Sequence, residues 1–128
     1  MSTPAIKPRP AATVIIARDI PQGLEVFMMR RSQQMVFAGG SYVYPGGALD
    51  ASDGDPQWAA LCDGLDDAGA SRLLNIANGG LAYWIAAVRE CFEESGLLLC
   101  RDRHGELVTH EDAEHAAELT GLRSALLA

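Results

Sequence analysis

Arg89-Glu90-Cys91-Phe92-Glu93-Glu94-Ser95-Gly96-Leu97 is the stretch on which the reading of this chain turns. It closes a run, residues 81–95, whose apolar positions recur at helical spacing. Leu81, Ile85, Val88 and Phe92 stand at i, i+4, i+7 and i+11, within roughly 60° of one another at about 100° per residue. Gly96 stands where a glycine ends a helix. On the opposite side Glu90 has Glu93 at i+3 and Glu94 at i+4. Like charges so spaced destabilise an isolated helix by about 0.2–0.5 kcal/mol per pair. They also crowd the helix end whose dipole favours cations. Arg89 reaches Glu93 at i+4, but one guanidinium does not balance three carboxylates. A hard divalent cation that takes oxygen ligands does, and Mg²⁺ and Mn²⁺ are of that kind. A solvated acidic face is the bland alternative.

Upstream, residues 12–17 (ATVIIA) and 24–29 (LEVFMM) are apolar, partly β-branched runs separated by the turn chemistry of Asp19–Gly23, so 12–29 reads as a hairpin. Residues 1–11, with three of the chain's prolines, read as a flexible arm. Residues 31–41 form a loop ending in Gly39-Gly40-Ser41, and Tyr42–Tyr44 runs extended into Pro45-Gly46-Gly47. The Asp-, Ala- and Gly-rich segment 54–79 reads as mostly helical, with helices near 56–65 and 70–77. After Gly96, residues 97–100 read as a strand and 102–105 as a turn. Thr109 and Asp112 resemble a capping box opening a last helix over about 110–127, amphipathic and rich in Ala and Leu.

The 128 residues suit one domain, residues 12–128, around one core. With 48% apolar and 21% charged residues the composition is that of a globular chain. No run reaches the roughly 18 apolar residues of a membrane helix, and the N-terminus lacks a signal-peptide core, so neither a membrane span nor secretion is expected. Three cysteines without CxxC spacing argue against a disulfide framework and fit the reducing cytoplasm. The net charge of −7 disfavours nucleic acid as a partner. The charge is uneven: residues 1–47 carry +3 and residues 48–128 carry −10. His104, His110 and His115 read as surface residues, Cys91 as packing, and Trp58 and Trp84 as packing of the 54–79 segment and of the helix.

The string at 89–97 matches R-E-U-x-E-E-x-G-U, with U apolar, a match whose chance frequency in a chain this long is about one in 10⁵. It resembles the second half of the Nudix box, the signature of Nudix hydrolases. The first half, G-x5-E, does not stand directly upstream. Residues 44–53, Tyr-Pro-Gly-Gly-Ala-Leu-Asp-Ala-Ser-Asp, resemble its aromatic-PGG opening, with Asp53 sixth after Gly47 where the pattern has Glu. The box is thus divided, with 35 residues (54–88) where seven are usual. A coenzyme A diphosphatase-like branch of the family has this aspartate and this insertion. Arg31, Ser32 and Gly40 also stand at the spacing of a coenzyme A signature before Pro45-Gly46-Gly47, although Val36 replaces its second arginine.

The resemblance implies an α/β/α sandwich around a mixed sheet and hydrolysis of a diphosphate linkage in a small-molecule, nucleoside-diphosphate-X type substrate. It implies that Glu90, Glu93 and Glu94, with the carbonyl of Gly47, ligate Mg²⁺ or Mn²⁺ and that one glutamate is the base. Arg89 would orient the glutamates, Asp53 would support the loop from behind, and Arg31, Ser32 and Gly40 would meet substrate. A non-catalytic Nudix-fold binding module, or an inactive fragment, is the competing expectation. The 32 residues after Gly96 are few for such a sandwich. The fold is therefore expected to be incomplete at the C-terminus, the chain being either part of a longer one or completed by a second copy in a homodimer.

Overall fold

A computed structural model describes residues 7–34 and 39–108. Six short strands come first: β1 (Ala11–Thr13), β2 (Ala17–Ile20), β3 (Gly23–Val26), β4 (Met29–Arg30), β5 (Tyr42–Val43) and β6 (Gly46–Ala48). Two 3₁₀ turns follow, Ala51–Gly54 and Pro56–Leu61, then helices α1 (Asp67–Leu74) and α2 (Leu81–Ser95).

The strands pair antiparallel as β1–β6, β2–β3 and β4–β5. Bonds beyond the named strands join them into one nested pattern. Phe27 N–H donates to Ile16 O at 2.9 Å, Val14 N–H to Pro45 O at 2.9 Å, and Arg31 N–H to Ser41 O at 2.9 Å. Each extended stretch therefore changes partner midway. This corrects the hairpin expected over 12–29. Residues 17–26 do form a hairpin, closed by Pro21-Gln22 with Gly23 at φ +132, but Ala11–Thr13 leaves it to pair with Gly46–Ala48. The α/β class stands, and among the described residues every strand pairing is antiparallel.

Residues 97–100 are not a strand. Cys100 N–H turns back to Leu98 O at 3.0 Å, and the pairing beyond is the single bridge between Arg101 and Leu107. Within 54–79 the stretch near 56–65 is a 3₁₀ turn over Pro56–Leu61, and the second helix begins at Asp67, capped by the Asp66 carboxylate. The helix expected over 110–127, its capping box, His110 and His115 lie outside the described residues. No helix among the described residues is long and apolar enough to cross a membrane.

Ala70, Leu81 and Ile85 centre the core, with Trp58, Cys62 and Leu65 packed against them. Of the apolar stripe of α2, Leu81 and Ile85 lie in this core while Val88 and Phe92 are half-buried, and Ala82, Ala86 and Cys91 are buried along the helix. Trp84, expected in the packing, is 37% exposed.

Candidate active site

Helix α2 packs on β6, on β1, on the first 3₁₀ turn and on α1. Its start is unusual. The N-cap is Gly80, which has no side chain to accept the first amides. Helix α1 supplies the acceptors instead. Asp67 Oδ2 accepts from Gly79 N–H and Oδ1 from Leu81 N–H, both at 3.0 Å, and Ser71 Oγ accepts from Gly80 N–H at 2.9 Å. The Leu81 amide, then that of Gly79, pulls the Asp67 carboxyl below its ordinary range. The two helices approach so closely that a Cβ on Gly80 would stand 2.2 Å from Ser71 N. At the other end Gly96 takes φ +74 and its N–H donates to Phe92 O.

The last turns of α2 carry the motif. Arg89 Nε and Nη2 clasp Asp53 Oδ1 and Oδ2, each at 2.8 Å, and Nη2 also donates to Ala48 O at 3.1 Å. Nη1 donates to Glu90 Oε1 at 2.8 Å and to Glu93 Oε2 at 3.3 Å. Arg89 is thus a hub that ties the helix to the two ends of the loop 48–53. Its bonds to Asp53, opposed by burial and aided by Glu90, push its pKa further up, so it stays charged. Asp53 is buried, 2% exposed, and its Oδ2 also accepts from Asp50 N–H at 2.7 Å. The Asp50 side chain in turn accepts from the Asp53 N–H, closing a capping box, and Asp50 Oδ1 also accepts from Ser52 N–H at 2.9 Å. The divided halves of the motif meet across 36 residues of sequence.

Glycine governs the other contact. A Cβ on Gly47 would fall 2.5 Å from Glu90 Cδ and 2.6 Å from both carboxylate oxygens, so the bare Cα makes room for that carboxylate. Glu94 Oε2 accepts from Gly46 N–H at 3.0 Å. The ladder explains why. Val14 N–H donates to Pro45 O and Leu49 N–H to Pro10 O, so hydrogen-bonded pairs alternate through Ala12–Gly47 and skip Thr13–Gly46. The N–H and C=O of Gly47 therefore belong to the ladder, whereas those of Gly46 are free of it. Gly47, expected to offer its carbonyl, here gives clearance to Glu90, and the carbonyl that stands outside the ladder is that of Gly46.

No three His, Cys, Asp or Glu side chains among the described residues stand as a ready metal cage. Arg89 draws Glu90 and Glu93 to itself, and Gly46 N–H holds Glu94. The donor set nevertheless fits a hard divalent cation. It consists of carboxylates beside a bare glycine Cα and a backbone carbonyl outside the ladder. Arg31, Ser32 and Gly40 come together elsewhere, at the end of the β4–β5 ribbon. There Gly40, at φ +79, donates to Arg31 O at 3.1 Å, and Ser32 Oγ accepts from Gln34 N–H at 3.3 Å. His104 is exposed in its turn. Sequence reasoning missed Asp67 and Ser71. A glycine at an N-cap, unable to cap itself, was the signal that a remote acceptor had to exist.

No family model matches the chain. Over 116 residues it is 32% identical to the acyl-coenzyme A diphosphatase NUDT19 of Xenopus laevis, a match covering 75% of this chain and 30% of that protein. Over 125 residues it is 32% identical to the human protein of the same name, covering 80% and 31%. The chain thus spans under a third of the length of these curated relatives. Among solved structures, a Nudix hydrolase from Alicyclobacillus acidocaldarius superposes with a TM-score of 0.61 at 28% identity, over 94% of this chain and 55% of the other. The divided motif, read from residues alone, is thereby joined to a matching fold and to relatives of matching kind, and the chain belongs to the Nudix family.

Proposed function

We propose that this chain forms the catalytic part of a Mg²⁺- or Mn²⁺-dependent hydrolase that cleaves a diphosphate linkage, with coenzyme A or an acyl derivative as the substrate. The observation that carries the reading is the meeting of Glu90 and Glu94 with the Gly46-Gly47 backbone, under an Arg89 locked to Asp53. Glu90, Glu93, Glu94 and the Gly46 carbonyl would hold the cation. When bound, it neutralises diphosphate oxygens and lowers the pKa of a water. The chain's own residues do the rest. Arg89 holds Glu90 and Glu93 side by side and oriented, its charge offsetting the repulsion between the two carboxylates. Asp53 keeps Arg89 aimed. A glutamate of the set takes the proton of the water that attacks phosphorus, and the bridging P–O bond breaks. The names of the relatives support a coenzyme A-type substrate, and the three free cysteines support a reducing, cytoplasmic setting.

The test is phosphate-coupled turnover on coenzyme A, an acyl-coenzyme A, a nucleotide sugar and a dinucleotide, with Mg²⁺ or Mn²⁺. Glu94→Gln is expected to lower kcat by about 10²-fold or more while the fold is kept. Activity surviving Glu90→Gln, Glu93→Gln and Glu94→Gln alike would refute the reading, and metal binding without turnover on any substrate would make the chain a binding module.

A further inference from the structure

The segment between the two halves of the motif is not a passive excursion. Its Trp58 lies half-buried on the core formed by Ala70, Leu81 and Ile85, and its indole N–H donates to Ser52 O at 2.8 Å. Ser52 is the residue before Asp53 in the same 3₁₀ turn. Three anchors therefore fix the turn: the Asp50–Asp53 capping box, the Arg89 clasp and the Trp58 indole. The first lies within the turn, the second is the contact to be positioned, and the third ties the turn to the core outside it.

We propose that Trp58 is a positioning residue for the carboxylate cluster. By holding the Ser52 carbonyl it sets Asp53, Asp53 sets the Arg89 guanidinium, and Arg89 sets Glu90 and Glu93. The geometry is continuous: 2.8 Å from Trp58 to Ser52, 2.8 Å for each arm of the Arg89–Asp53 clasp, 2.8 Å to Glu90 and 3.3 Å to Glu93. Groups that orient metal ligands from behind typically change metal affinity by about 10–100-fold when lost. The inference rests on the reading of these glutamates as metal ligands only for its functional consequence; the ordering of Arg89 stands apart from it.

The experiment compares the wild-type chain, Trp58→Phe, Asp53→Asn and the double variant. Phe keeps an aromatic ring on the core and removes the N–H donor together with one ring of the indole, a packing loss that the thermal melt reports separately; Trp58→Tyr serves if Phe does not fold. Two quantities are read: Mn²⁺ affinity by calorimetry, and proton exchange at Arg89 Nε–H by NMR without metal. Trp58→Phe is expected to weaken Mn²⁺ binding by about tenfold and to speed exchange at Arg89 Nε–H by about the same factor. In the Asp53→Asn background the same change should add nothing, because the relay is already cut. Unchanged Arg89 exchange in a folded Trp58→Phe protein overturns the proposal, as does an equal further loss of Mn²⁺ affinity in the Asp53→Asn background. A wild-type chain that binds no Mn²⁺ would refute the metal reading, while the Arg89 exchange would still decide this one.

Discussion

Gly47→Ala should damage the site while sparing the fold. The added Cβ would stand 2.5 Å from Glu90 Cδ and 2.6 Å from its two oxygens. Ordinary contact for such atoms is about 3.5 Å, so the carboxylate must retreat by about 1 Å. It can do so cheaply, because it is the end of a flexible side chain, although Arg89 Nη1 resists at 2.8 Å. The backbone itself accepts alanine, since Gly47 is not among the glycines with positive φ. In a strand, alanine is favoured over glycine by roughly 0.5–1 kcal/mol. Stability should therefore stay within about 1 kcal/mol of the parent. A displacement of about 1 Å in a catalytic group costs about 10²-fold in rate, equivalent to about 2.7 kcal/mol in the barrier. The assay is kcat and Mn²⁺ affinity beside a thermal melt. A melting temperature held within a few degrees with kcat also held within threefold would refute the argument that Gly47 exists to seat Glu90. The neighbouring Gly46→Ala supplies the contrast, because its Cβ would meet backbone, Ala12 O at 2.4 Å and Thr13 Cα at 2.7 Å. That variant should lose the β1–β6 pairing as well as activity.

Other outcomes follow from the same contacts. Asp53→Asn removes the most buried of the three carboxylates paired with Arg89, the aspartate side chain being 1% and the arginine 16% exposed, and should destabilise the chain by about 1.5–3 kcal/mol in chemical unfolding. Asp67 has a folded-state pKa below its ordinary 3.8, so its contribution is present above pH 3.8 and is lost as pH falls through the lower, folded value. Asp67→Asn should accordingly melt earlier than the parent at neutral pH, and the two melts should converge in acid well below pH 3.8; a constant gap would refute the assignment. Gly80→Ala, with a Cβ 2.2 Å from Ser71 N, should force α1 and α2 apart at about 1–3 kcal/mol, read as a melting temperature lower by several degrees. Burial pushes the thiols of Cys62 and Cys100 up, so both should alkylate more slowly at pH 8 than a free thiol. Sedimentation equilibrium should give twice 13.6 kDa if a second copy covers the apolar face expected over 110–127, and 13.6 kDa would refute the homodimer.

What could be read from residues alone divides along the range of the interactions. Leu81–Ser95 was legible to the residue, because apolar spacing and a following glycine are local signals, and Gly96 does take the left-handed cap. That Asp53 and Arg89 belong to one site was legible only through the family pattern, and their direct clasp was not legible at all, since nothing in the spacing says that two residues 36 apart will meet. Residues 12–17 looked like one strand because β-branched runs report extended backbone and not its partner. The change of partner after Thr13 depends on where Gly46–Ala48 lies. Residues 97–100 are apolar enough for a strand, but a strand also needs a neighbouring edge, and Cys100 folds back on Leu98. Gly46 rather than Gly47 as the open backbone is a matter of ladder parity, which a sequence does not display.

The capping of α2 by α1 bears on how a motif can be cut in two without being lost. Closing a flexible loop of 35 residues rather than seven costs about 1.4 kcal/mol more in chain entropy. The Ser71–Gly80 bond and the Trp58–Ser52 bond, at about 1 kcal/mol each, already offset that difference. Added chain of this kind is thermodynamically near neutral when it brings its own fastenings. Its length is then free to drift, while the few residues that do the fastening are not. Random deletion across 54–79 should thus be tolerated in blocks that spare Trp58, Asp67 and Ser71 and the core residues Cys62, Leu65 and Ala70, and should abolish folding in blocks that include them.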